Sequence, residues 1–298
     1  MISAIEHDPG VRAHEPTMSI VDSRSLQYVH ELDAWLRPDV PWSIIDEFPR
    51  AFGPDTRAKS TCLLHRGRLV AHAATLDVAH VDGTDPDDKH ETTLRIVSSV
   101  VVRPDCRGQG FGKKLIHSVV EDFRQSAASV LLLWSERHRF YAGFGFEPWG
   151  VELRVEPVPA HPTRPIRPMR LSDVEAVMRL HASKPLHVER NATDFADALR
   201  IPRTAAFVLE GRDHEPLAYA FVGKGLDFPG IAHDVGGSTE DLAELLRALP
   251  MAFAILPYWQ LELAQAVGRI TPHPLGLAIT KAAVAPHRGW AVEGLDSM

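Results

Sequence analysis

Gly108, Gly110 and Gly112 alternate with Gln109 and Phe111, directly after Arg107 and directly before Lys113 and Lys114. Glycines let a backbone approach a ligand closely. The free N–H groups that open a helix, together with its dipole, favour a bound anion. Flanking cations add charge of the right sign. At this spacing these residue types support the holding of a phosphate group. The pattern is not a P-loop, which needs Gly-Lys-Ser/Thr after four intervening residues. Nor is it the Gly-x-Gly-x-x-Gly dinucleotide fingerprint. It reads Arg-x-x-Gly-x-Gly, through Arg107, Gly110 and Gly112.

The turn must be held by the elements on either side. Before it, residues 92–103 read as a strand, with Val100, Val101 and Val102 β-branched and Pro104 as the break. After it, Phe111, Leu115, Ile116, Val119, Val120 and Phe123 fall on one face at helical period, opposite Lys113, Lys114, Glu121, Asp122 and Arg124. Upstream, residues 1–17 form a poorly ordered lead-in and 23–35 a first helix stopped by Pro38. An aromatic-rich helix or loop follows at 41–49, then a hairpin of 60–65 and 68–81 turning at Arg66-Gly67, and an acidic loop at 82–91. Downstream, 130–134 is an apolar strand, followed by 135–148 and a last strand through Val155.

The Arg-x-x-Gly-x-Gly turn, its strand and its helix resemble the pyrophosphate loop of the GCN5-related N-acetyltransferases (GNAT). The segment Phe140-Tyr141 with Phe144-Gly145-Phe146 resembles that family's second signature. With Ser135, Glu136 and Pro148 it is similar to the enhanced-intracellular-survival type, whose tandem acetyltransferase domains precede a sterol-carrier-like domain. The resemblance implies an α/β fold of the α+β mixed-sheet kind. It also implies acetyl-CoA as co-substrate: bound along the backbone of Val100, Val101 and Val102, at Arg107, Gly108, Gln109, Gly110, Phe111, Gly112 and Lys113, and touched by Ser135 and Glu136. Tyr141 takes the place of the family's tyrosine. A phenol protonated at neutral pH can give its proton to a departing thiolate.

The second half repeats the order of elements. A proline-rich linker, 156–165, leads into a capping box at Ser172 and Glu175 and a helix carrying Val174, Val177, Met178, Leu180 and His181. A hairpin (205–209 and 216–223), a strand (231–235), a helix (242–249) and a strand (251–256) follow. In place of a glycine loop stands 234–241, with Asp234, Glu240 and Asp241, which would repel a pyrophosphate. The expected organisation is two tandem acetyltransferase-like domains, 18–155 with the co-substrate and 166–298 degenerate.

The expected reaction is transfer of an acetyl group to the primary amine of a small molecule by direct attack on the thioester. Two alternatives stay open: a protein Lys or N-terminal amine as acceptor, and a non-catalytic acyl-CoA-binding regulator. The acceptor site is expected from 35–52 and 82–91, with Trp42, Asp46, Glu47 and Phe48. Glu91, Asp77, His72 or a water relay are open as the base; the role of a chain-terminal carboxylate is not carried over to Met298. The net charge of −7 argues against nucleic acid and for cationic partners. No apolar run approaches a membrane span and no signal-peptide core opens the chain, so a cytoplasmic protein is expected. Two cysteines and sixteen histidines without ligand spacing give no metal site. Self-association is left open.

Overall fold

The computed structural model describes residues 16–22, 27–84, 90–281 and 290–296. In chain order the first half contains β1 (Thr17–Asp22), α1 (Val29–Leu36), α2 (Ile44–Glu47), α3 (Pro49–Phe52), β2 (Lys59–His65), β3 (Arg68–Asp82), β4 (His90–Val102), α4 (Phe111–Gln125), β5 (Val130–Leu133), α5 (His138–Ala142) and β6 (Glu147–Pro157). The second contains β7 (Ile166–Pro168), α6 (Val174–Ala182), β8 (Leu186–Val188), α7 (Ala192–Ala198), β9 (Ala205–Glu210), β10 (Pro216–Val222), β11 (Ile231–Gly237), α8 (Thr239–Ala248), β12 (Phe253–Pro257), α9 (Leu261–Val267) and β13 (Gly268–Thr280). Two sequence expectations change. Residues 17–22 are an edge strand on β2, not lead-in. The first described helix begins at Val29; residues 23–26 of the expected helix lie outside the described ones.

One mixed sheet runs through both halves in the order β1-β2-β3-β4-β5-β13-β6-β12-β11-β10-β9-β7. Its centre is an exchange. β13, which follows β12 in the chain, lies on β5 with Leu277 opposite Leu133. β6, which follows β5, lies on β12 with Leu153 opposite Leu256. β6 and β13 pair with each other over ten register partners from Gly268–Pro157 to Ala278–Glu147. Each half thus lends its last strand to the other's edge, and the ladder hydrogen bonds of both halves close only together.

The layers follow from apolar period. α4 packs Phe111, Leu115, Ile116, Val119, Val120 and Phe123 against β2, β4 and β5 through Leu63, Val97, Leu131 and Leu133. Burial of each such side chain is worth about 1.5–3 kcal/mol. The opposite face packs α1, α2 and α3 through Leu32, Ile44, Phe48 and Phe52 onto Leu94, Ile96 and Leu275. Trp290 and Val292, from the chain's last described segment, enter that same core.

Candidate active site

β4 and β5 run parallel and pair only from Leu94–Val130 to Ile96–Leu132. Past Ile96 they part, and among the described residues β4 has no strand partner on that side. The parting coincides with a bulge. Ser98 pairs with Ala74 and Val101 with His72, so Ser99 and Val100 stand opposite Ala73 alone, and Ser99 takes φ +50°. His72 holds the bulge: its Nδ1 donates to the Ser99 carbonyl at 3.1 Å, and its Nε2 faces the Ser60 hydroxyl at 2.9 Å. Burial lowers the His72 pKa to about 4, so the ring is neutral and this tautomer is fixed by its acceptor. The backbone of Val100, Val101 and Val102 is therefore the free edge of a cleft.

The cleft ends at the glycine turn. Gly108 (φ +77°) and Gly110 (φ +83°) adopt the left-handed conformation, and a Cβ on either would meet nothing within 4 Å. The face of the turn is open. Gly110 is the N-cap of α4 and has no side chain to cap the first-turn N–H groups, and no acid lies in that turn. Arg107 folds back with Nε donating to the Val102 carbonyl at 3.3 Å, and Gln109 Nε2 donates to the Asp105 carbonyl at 3.2 Å. The counterpart in the second half is closed. Ser238 caps α8 by accepting the Asp241 N–H at 3.1 Å, and Glu240 and Asp241 occupy its first turn. Residues 107–113 fit a pyrophosphate; 237–241 do not.

Tyr141, on α5, is buried between Phe140 and Phe146, whose rings lie edge-on at 5.0 and 5.6 Å. Burial raises its pKa, so the phenol keeps its proton, and the Ser135 hydroxyl lies beside it. Ser135 and Glu136 reach the wall of a cavity of about 700 Å³, together with Val97, Ser98, Ser99 and Val100. Tyr141 itself stands behind Ser135, outside that wall.

The cavity extends across the exchanged strands. Glu152 and Arg154 on β6, Ile255 on β12 and His273 to Leu277 on β13 form its floor, and Arg37, Phe48, Asp227 and the segment Val292-Glu293-Gly294 close it. Glu152, His273 and Glu293 were not among the sequence candidates. Of the candidates for an acceptor site, Phe48 faces the cavity. Glu47 is fully buried and consumed, binding Arg37 Nε at 2.8 Å, Trp42 Nε1 at 2.9 Å and the Leu226 N–H at 3.0 Å. Asp46 caps α2 by accepting the Ser43 N–H at 3.0 Å. Asp77 is paired with Arg95 on both carboxylate oxygens, Glu91 lies outside the cavity lining, and His72 supports the bulge. Residues 85–89 of the expected acceptor loop, and Met298, lie outside the described residues.

The terminal segment fills the second cleft. β11 pairs with β12 at Ile231–Phe253 and Ala232–Ala254 and then parts from it, as β4 parts from β5. The Gly294 N–H donates to the His233 carbonyl at 2.9 Å in that gap. Beneath lies a buried charge network. Lys184 Nζ bonds Glu293 at 2.6 Å, Arg190 pairs with Asp234 and with Asp296 at 2.8 Å, and Tyr219 donates to Asp234 at 3.0 Å. His181, Asp234 and Glu293 stand within 4.8 Å of one another in the manner of metal ligands, but Lys184 and Arg190 already neutralise the two carboxylates.

Residues 64–148 match the acetyltransferase (GNAT) domain family. No curated protein matches the chain. The fold as a whole is similar to many solved structures, among them the following. A conserved protein of unknown function from Enterococcus faecalis V583 is 10% identical with a TM-score of 0.62, over 89% of this chain and 72% of that one. A GCN5-related N-acetyltransferase from Kribbella flavida is 17% identical with a TM-score of 0.59, over 90% and 72%. Eis1 from Mycobacterium abscessus is 13% identical with a TM-score of 0.57, over 89% and 73%. The stretch that matches the family, 64–148, holds the parting of β4 from β5, the glycine turn and Tyr141: the chain carries an acetyltransferase domain of the GNAT family.

Proposed function

We propose that the protein is an acetyl-CoA-dependent N-acetyltransferase acting on the primary amine of a small molecule. The observation that carries this reading is continuity. An open, uncapped glycine turn leads along the free edge of β4 into a cavity of about 700 Å³. In this reading, residues 107–113 hold the pyrophosphate, with Arg107 and Lys113 adding charge. The bulged backbone of Val100, Val101 and Val102 takes the pantetheine arm and polarises the thioester carbonyl. Ser135 and Glu136 border the thioester, and Tyr141 returns a proton to the thiolate, with the Ser135 hydroxyl beside its phenol. The two halves are tandem acetyltransferase-like units, of which the second has given its cleft to the terminal segment and binds no co-substrate.

A walled cavity between α1, the exchanged strands and the terminal segment favours a small acceptor over a protein amine. The test is thiol release from acetyl-CoA over a panel of amino acids, polyamines, aminoglycosides and lysine peptides. Turnover with small amines and none with peptides is expected. Turnover confined to peptides would reassign the acceptor, and tight acetyl-CoA binding with no thiol release over the panel would leave a binding protein. Among the described residues no helix is long and apolar enough to cross a membrane.

A further inference from the structure

We propose that Glu152 removes the proton from the acceptor ammonium, so that the acceptor is held against the exchanged strands β6 and β13 as well as the first half. The proposal rests on the acetyl-transfer reading above. Among the cavity's carboxylates Glu152 stands apart. Asp227 is closed by Arg37 at 2.8 Å and Glu293 by Lys184 at 2.6 Å, whereas Glu136 is exposed at the rim. Glu152 is only 8% exposed, yet its one ion pair among the described residues is a loose 3.5 Å contact with Arg154 Nε. The Arg154 side chain is itself 45% exposed, and its guanidinium lies over the Phe253 ring. Across the ladder, Glu152 faces His273 on β13 and Pro257 on β12, and neither offers a fixed positive charge.

Such a carboxylate is buried without being neutralised, and it faces a cavity able to admit a cation. Burial, partly offset by Arg154, pushes its carboxyl up to about 7, which suits a base working near neutral pH. Besides Arg154, the other charged or titratable groups around the cavity are Arg37 at the end of α1, Glu136 and His138 before and on α5, His273 on β13, Asp227 after β10 and Glu293 in the terminal segment. An alkylammonium would supply the counter-charge that Glu152 lacks, while Phe48, Trp134, Phe228 and Leu275 provide apolar and aromatic surface for its body.

The step balances as follows. One ammonium proton passes to the Glu152 carboxylate and then to solvent. The nitrogen lone pair forms the C–N bond as the C–S bond breaks. The second N–H proton replaces the one the thiolate takes from Tyr141.

The test compares wild type, Glu152→Gln and Glu152→Asp by thiol release at saturating acetyl-CoA, with alkyl amines and with weakly basic amines that are neutral at pH 7. Glu152→Gln should lose about 10²–10⁴-fold in turnover with alkyl amines. Acetyl-CoA affinity should stay within twofold. The limb of the pH profile near 7 should disappear, and the loss should shrink below tenfold with the neutral amines. Glu152→Asp should retain part of the activity. Wild-type turnover in Glu152→Gln overturns the proposal, as does an equal loss with neutral and charged amines. No thiol release by the wild type with any amine overturns the acetyl-transfer reading and this proposal with it.

Discussion

The Gly294 N–H donates to the His233 carbonyl at 2.9 Å, where β11 has just parted from β12. The corresponding opening between β4 and β5 is the cleft that leads from the glycine turn. In the second half the chain fills its own cleft. Lys224 Nζ secures the filling by donating to the Gly294 carbonyl at 3.0 Å, and the segment sets Val292 and Glu293 into the cavity wall.

The close approach requires glycine at 294, because a Cβ there would overlap the His233 ring. Gly294→Ala should therefore cost about 1–3 kcal/mol of stability as the segment shifts. It should raise KM for the amine, because the wall formed by residues 292–294 moves. Acetyl-CoA affinity, which the proposed function assigns to the first half, should stay within twofold. Thermal melts and steady-state kinetics check this; unchanged melting and KM would mean that the segment is not seated against β11.

Glu152 also makes a prediction about stability. Its carboxyl is raised from 4.5 to about 7 in the fold. Well below pH 4.5 both folded and unfolded chains hold the proton, and no cost of burying the charge arises. As pH rises toward 7 the unfolded chain releases it first, so stability is lost, reaching roughly 3 kcal/mol once both states are ionised. Glu152→Gln should remove that loss: its melting temperature should match or exceed wild type at pH 8, with a smaller gain at pH 5. The same gain at both pH values would show that the carboxyl titrates normally in the fold.

Tyr141→Phe keeps the ring between Phe140 and Phe146 and removes only the hydroxyl. If the phenol protonates the thiolate, turnover should fall about 10²–10⁴-fold with acetyl-CoA affinity nearly unchanged. Equal losses in affinity and turnover would make Tyr141 a binding residue, and wild-type turnover would make it a packing one.

Local pattern made some of this visible and hid the rest for definite reasons. The amphipathic period of α4 and the residues of its glycine turn mark the proposed anion cradle without any knowledge of the fold. So do the hairpin of β2 and β3 and the apolar β5. The exchange of β6 and β13 has no local signal, because it is a choice of partners more than a hundred residues apart. The strand Val151-Glu152-Leu153-Arg154-Val155 reads as apolar-in, polar-out. Its polar face meets a shared cavity instead of solvent, so Glu152 looks like an ordinary exposed acid until β12 and β13 are placed beside it. The alternation itself was the available clue. Glu47 erred the other way: an acid beside aromatics suggested a cation site, but Arg37 and Trp42 had already claimed it.

The central claim is that one co-substrate site exists and that it lies at the turn 107–113. Isothermal titration of acetyl-CoA into the full chain, wild type and Gly110→Asp, tests it most directly. The wild type should bind one molecule per chain. The variant should bind none, because a side chain and a negative charge enter the cradle at a left-handed position. Two molecules per wild-type chain, or affinity in Gly110→Asp within a factor of two of wild type, would contradict the account.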